Sequence, residues 1–279
     1  MMRMPGETVL CAWLPFGQAV VAAIVIALIV GQPAIARAAE MARIPAGAFT
    51  MGTDTGPEDE RPAHIVTLAT FEIDILPVTN AQFAQFLAAR GTENTRNTRG
   101  ERLYDEDDND ARIHLVAGQW LADTSFERHP VVEVSCVGAR DYCAWLGKRL
   151  SSEAEWEKAA RGTDVRRYPW GSDTPDARRA RFAAGWNQTV PVDSHQAGAS
   201  PYGVLDMAGN AWEWVSSAYR AYPYRADDGR ENLTAGPVRG TRGGGHDSSA
   251  AEITTTQRGK ALSRAPQAGH HNIGFRCAR

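Results

Sequence analysis

The side chains best suited to chemistry fall in two short segments. His246-Asp247 leads into Ser248-Ser249, and His270-His271 lies further along the chain. Two imidazoles and a carboxylate are the ligand types of a two-histidine, one-carboxylate iron centre. Adjacent residues of an extended chain point to opposite sides, so His270 and His271 cannot readily both face one ion. Histidine pairs on exposed loops are the plainer reading. Ser248-Ser249 lacks a local sequence context of the kind that activates a serine hydroxyl. The acidic run Asp105, Asp107, Asp108, Asn109, Asp110 invites comparison with a calcium loop. It has Asp110 where an EF-hand needs its sixth-position glycine and Val116 where it needs a glutamate, so a solvated loop is the better reading. No phosphate-binding loop, dinucleotide fingerprint or nucleophile elbow is present.

The elements that must position these groups follow a leader. Arg3, the apolar run Ala19–Val30, Pro33 and the small-x-small stretch Ala36-Arg37-Ala38 make residues 1–38 an expected signal peptide and residues 41–279 the expected domain. An uncleaved membrane anchor is the alternative, although the run is short for a bilayer span. Cys11 precedes the apolar core and is therefore not a lipidation site. The expected location is periplasmic or secreted, with no membrane association after cleavage. About 240 residues suit one domain with a sizeable core. The formal charge of −3, with both signs interspersed, gives no basic footprint for nucleic acid. Beyond the leader remain Cys136, Cys143 and Cys277. An odd number in an oxidising compartment suggests one disulfide and one thiol. Spacing alone cannot pair them, although Cys136 and Cys143 on one helix would be badly placed for a bridge.

Local signals give short elements. Residues 65–70 alternate like a strand. Thr79 and Gln82 form a capping box for a helix that carries Phe83, Phe86 and Leu87 and stops at Gly91. A second helix begins at Ser135, with Ala139, Tyr142, Cys143 and Leu146 on one face. A third begins at the box of Ser152 and Glu155 and ends at Gly162. Thr92–Arg128 reads as a long polar excursion. Many Gly, Pro, Asn and Asp residues and few long periodic runs predict an α+β domain rich in loops.

Three blocks, Arg149–Gly162 (RLSSEAEWEKAARG), Asp206–Trp214 (DMAGNAWEW) and Gly274–Arg279 (GFRCAR), resemble the formylglycine-generating enzyme, or sulfatase-modifying factor, family. Pro62-Ala63-His64, Val78-Thr79-Asn80, His129-Pro130-Val131, Tyr168-Pro169-Trp170-Gly171 and Arg242-Gly243-Gly244 extend the likeness from about Ile44 to Arg279. The resemblance implies an irregular C-type-lectin-like fold and a Cys143–Cys277 disulfide. It implies calcium held by side chains of Asp206 and Glu213 and carbonyls of Gly209 and Ala211. It places Arg181 where a second calcium ligand would stand, so that second site is expected to be lost. It makes His64 and His129 scaffold residues, Cys136 a buried replacement for tryptophan, and most of Trp145, Trp156, Trp170, Trp186, Trp212 and Trp214 core residues.

The resemblance also exposes a gap. Active members carry two cysteines after the Arg-Gly-Gly turn, and these hold Cu(I), an ion that selects soft thiolates. Here Ser248 and Ile253 fall at or near those positions, so formylglycine synthesis and a copper cofactor are not expected. The cleft candidates are Arg242, His246, Asp247 and Ser248. Iron is conceivable if the histidine segments face each other across the family's cleft. The implied role is a periplasmic maturation or accessory factor acting on a partner protein or peptide-like product, such as one in a denitrification or siderophore pathway. The alternative is a non-catalytic protein- or glycan-binding module using loops Thr92–Arg128 and Ala218–Arg239. The remaining reading is a sulfatase-activating oxidase that recruits Cys136.

Overall fold

The helices begin where local chemistry sets them. In the computed structural model, which describes residues 40–233, 238–259 and 268–279, Thr79 accepts from the Gln82 amide and the Gln82 side chain returns to the Thr79 amide, opening α1 (Asn80–Ala89). Ser135 caps α2 (Cys136–Trp145) through the Gly138 amide. Ser152 and Glu155 repeat the reciprocal box at α3 (Glu153–Arg161), which ends at Gly162. The leader lies outside the described residues.

The strands are β1 (Met41–Ile44), β2 (Gly47–Met51), β3 (His64–Leu68), β4 (Phe71–Asp74), β5 (Ile113–Val116), β6 (Gln119–Ala122), β7 (Arg149–Leu150), β8 (Trp212–Ala218), β9 (Arg239–Arg242), β10 (Ile273–Phe275) and β11 (Cys277–Ala278). Among the described residues they form a four-stranded sheet ordered β1-β4-β11-β7, a three-stranded sheet ordered β10-β8-β9, and the pairs β2-β3 and β5-β6. β8 is buried along its whole length; it runs parallel to β10 and antiparallel to β9. The β5–β6 hairpin corrects the reading of Thr92–Arg128 as an excursion. Its turn residues, Ala117 and Gly118, both have positive φ, the geometry of a primed two-residue turn.

One core joins Phe83 and Phe86 of α1, Tyr142 of α2, Trp214 of β8 and Phe275 of β10. Phe83 stacks on Tyr142 at 5.7 Å, and Phe275 meets Tyr142 edge-on at 5.3 Å. A second core sets Trp156, Ala159 and Ala160 of α3 against Ile44, Phe71, Ile73, Met207 and Val215. The Cys143–Cys277 disulfide ties α2 to the last strand across a sequence separation of 134. Cys136 is the free cysteine among the described residues; it is buried, and burial pushes its thiol up to about 12.

Candidate functional site

The site is assembled from irregular segments laced together by backbone hydrogen bonds. Gly243 and Gly244 follow β9 with φ of 95° and 77°, a turn that L side chains rarely adopt. This turn carries Gly245-His246-Asp247-Ser248 against the Asp206–Ala211 loop: the Gly209 amide donates to Gly243 O (2.9 Å) and the His246 amide to Asn210 O (2.9 Å). From the other side the amides of Ala183 and Ala184 donate to the carbonyls of Ser248 and His246. The parallel pairing of β10 with β8 begins at Ile273, so His271 and Asn272 are delivered to the same place.

There His246, Asp247 and His271 each offer one ligand atom, and these atoms all lie within 4.8 Å of one another. His246 is fully buried. Its Nδ1 lies 3.1 Å from Asn210 O, and its Nε2 has no hydrogen-bond partner among the described residues. A carbonyl can only accept, so Nδ1 carries the proton and Nε2 presents its lone pair. Burial pushes the His246 pKa down, keeping the ring neutral. Asp247 Oδ2 lies 3.5 Å from His271 Nε2, and the Asn272 amide donates to both carboxylate oxygens. His271 and then Asn272 hold the Asp247 carboxyl down at about 2. Gly245 is small for a reason: a Cβ there would come within 2.9 Å of Asp247 Oδ1.

Trp186 stacks on the His271 ring, with ring centroids 3.5 Å apart. Trp186 is 66% exposed, unlike Trp156, Trp212 and Trp214, which are buried in the core. Its indole donates to Asp110 Oδ2 (2.8 Å), and Asn187 donates to the other Asp110 oxygen (2.9 Å). Asp110 in turn clusters with Asp108 and Glu133. Glu133 is buried at positive φ, and its shift to about 8 comes from burial first and then from Asp108, Asp105 and Asp110. The neighbouring His270 does not join the triad; its carbonyl accepts from the Glu133 amide, and its ring lies 6.4 Å from Trp214.

The other two cleft candidates, Arg242 and Ser248, lie outside the triad. Arg242 is not at the surface of the cluster. It is fully buried and donates to Glu153, Glu157, Tyr222 Oη and Thr255 O, because the acidic face of α3 requires a cation there. Arg258 completes that network on Glu153. Ser248 closes a tight turn: its Oγ accepts from the Gly245 amide, and its own amide donates to Gly245 O. Ile253 is buried. A separate cavity of about 300 Å³ is lined by Thr53, Glu60, Arg161, Arg166 and Thr254–Gln257 and contains none of the expected residues.

In the Asp206–Glu213 loop, Asp206 is buried, accepts from the Asn210 amide, and is pushed up to about 7 by burial. Glu213 is committed to Arg276 through both oxygens and to the Trp156 indole. Arg181 donates to Gln188 O and Oε1. His64 and His129 make structural contacts, with Tyr224 N and Pro62 O for the first and Thr189 Oγ1 for the second.

This architecture has relatives. The sulfatase-modifying factor enzyme 1-like domain matches residues 27–279. The chain belongs to the sulfatase-modifying factor family. Within that family it is 33% identical over 272 residues to inactive C-alpha-formylglycine-generating enzyme 2 of Bos taurus, covering 85% of this chain and 87% of that protein. It is 36% identical over 247 residues to serine/threonine-protein kinase pkn1 of Chlamydia caviae, covering 86% of this chain but 38% of that longer protein. The solved structure of PvdO from Pseudomonas aeruginosa aligns with a TM-score of 0.65 at 28% identity, covering 86% of this chain and 94% of that one. The few helices, short strands and long loops are the C-type-lectin-like fold of the family.

Trp186, Asn210 and Asn272 were not singled out by sequence as site residues. Trp186 lies in an irregular stretch and gains its role from a contact far along the chain. The two asparagines carry no pattern that separates a supporting amide from a turn residue.

Proposed function

We propose that this chain is an exported maturation factor that modifies a partner protein or a peptide-like product at the His246–Asp247–His271 cluster. The observation that carries this reading is the fully buried His246 Nε2, left without a hydrogen bond beside a carboxylate and a second imidazole. A buried unpaired polar atom costs about 1–3 kcal/mol. A scaffold kept only for stability gains nothing from that arrangement. Formylglycine chemistry by paired thiolates does not suit this chain: Ser248 and Ile253 stand at the thiol positions, and Cys136 is a buried packing residue. Calcium, in this reading, is structural. Asp206 and the carbonyls of Gly209 and Ala211 are the hard oxygens for it, while Glu213 serves the ion pair with Arg276.

The test begins with deletion of the gene in its native host and comparison of the intact masses of exported proteins and secreted peptides. The proposal expects one product whose mass changes and is restored by the intact gene. No mass change in any product, combined with specific retention of one unmodified partner by the purified protein, would favour the second reading, a binding module. The observation on that side is the exposed Trp186, an aromatic surface next to the cluster.

A further inference from the structure

We propose that His246, Asp247 and His271 bind one divalent first-row transition-metal ion. The inference deepens the reading of this cluster as the working site. Three features carry it. First, the donors are already gathered: their ligand atoms lie within 4.8 Å of one another, and the closest stated pair, His271 Nε2 and Asp247 Oδ2, is 3.5 Å apart. Ligands at about 2.0–2.2 Å from a common ion stand roughly 3–4 Å from each other, so small side-chain rotations complete the set.

Second, the outer contacts are those a metal site needs. A metal-binding imidazole commonly donates its other ring N–H to a carbonyl, which fixes the tautomer and aims the lone pair at the ion. Asn210 O does this for His246. The Asn272 amide orients the Asp247 carboxylate, and Trp186 pins the His271 ring in place. Third, the buried His246 Nε2 has no other partner among the described residues. No donor among the described residues reaches it, so an ion or a bound water must satisfy it.

The donor set also selects the class of ion. Two imidazoles and one carboxylate suit zinc, iron, cobalt or nickel, and they disfavour calcium or magnesium, which prefer all-oxygen shells. Three protein ligands leave at least one coordination position free. The open side is that of Asp247, the exposed member of the triad, and Trp186. This is the geometry of a site that accepts water or substrate and not of a closed structural one.

The experiment uses the full chain, tag removed and stripped with a chelator, titrated with Co²⁺ and followed by visible d–d absorption and calorimetry. The inference expects about one Co²⁺ per chain. His246→Ala and Asp247→Asn each weaken binding at least about hundredfold, because even supporting residues of metal sites contribute tenfold or more. Asp247→Asn keeps the side-chain shape at an exposed position, so it remains informative if His246→Ala fails to fold. Ile65→Ala, at an exposed position of β3 outside the cluster, leaves Co²⁺ binding unchanged. Absence of saturable binding, or equal affinity in folded Asp247→Asn, overturns the inference. A chain that binds Co²⁺ as described but changes no product mass in the host keeps the metal site and refutes the maturation role. A His246-dependent mass change without metal binding does the reverse.

Discussion

Replacing Glu133 with glutamine tests the electrostatics behind the cluster. Glu133 is 2% exposed and faces the charges of Asp108, Asp105 and Asp110. Burial and then those charges raise its pKa from 4.5 to about 8. In the folded chain it is therefore protonated between those values, while the unfolded chain has released the proton. The stabilising contribution is fully present below pH 4.5 and is lost as pH rises through 8. Each unit is worth about 1.4 kcal/mol, so the whole interval amounts to about 4–5 kcal/mol. Glu133→Gln keeps the shape and removes the titration. In urea denaturation with EDTA present, the two proteins should match near pH 5, and the variant should gain up to about 4 kcal/mol by pH 9. Parallel stability curves across that range would refute the reasoning, because they would mean that Glu133 is solvated or paired.

Two further predictions concern the scaffold. Cys277→Ser opens the link across 134 positions and should lower unfolding free energy by about 2–4 kcal/mol under oxidising conditions, with no difference from the intact chain once both are reduced. Calcium at a hundred times its Kd should raise Tm by about 5–10 °C, as read by scanning calorimetry, and Asp206→Asn should abolish most of that shift; an undiminished shift would place the ion elsewhere.

How far the sequence carried the structure depended on how local each cause was. Thr79 with Gln82 and Ser152 with Glu155 are contacts three residues apart, so the helix starts were readable. Family blocks supplied the Cys143–Cys277 pairing that spacing could not. The β5–β6 hairpin was missed because its turn is Ala117-Gly118, without the asparagine or aspartate that marks such turns. Arg242 is a cleft candidate in the sequence because the Arg242-Gly243-Gly244 turn leads directly into the His246–Ser248 segment. Its actual partners, Glu153 and Glu157, lie one helical turn apart on a face of α3 that is wholly buried. Two acids on a buried helical face require cations from elsewhere, and that was the available clue. The separation of His270 from His271 followed from chain geometry, but which one joins His246 depended on the register of β10 against β8. Trp186 and Glu133 depend on contacts between distant segments, for which the local sequence holds no signal.

The claim that the working site lies at His246–Asp247–His271 is tested most directly by complementation. The deletion host would receive the intact gene, His246→Ala, or Ile65→Ala, which alters an exposed side chain of β3 outside the cluster. Product masses and protein levels would be read together. The account predicts that the intact gene and Ile65→Ala restore the modified product, while His246→Ala accumulates to a similar level and does not. Full restoration by His246→Ala would contradict it.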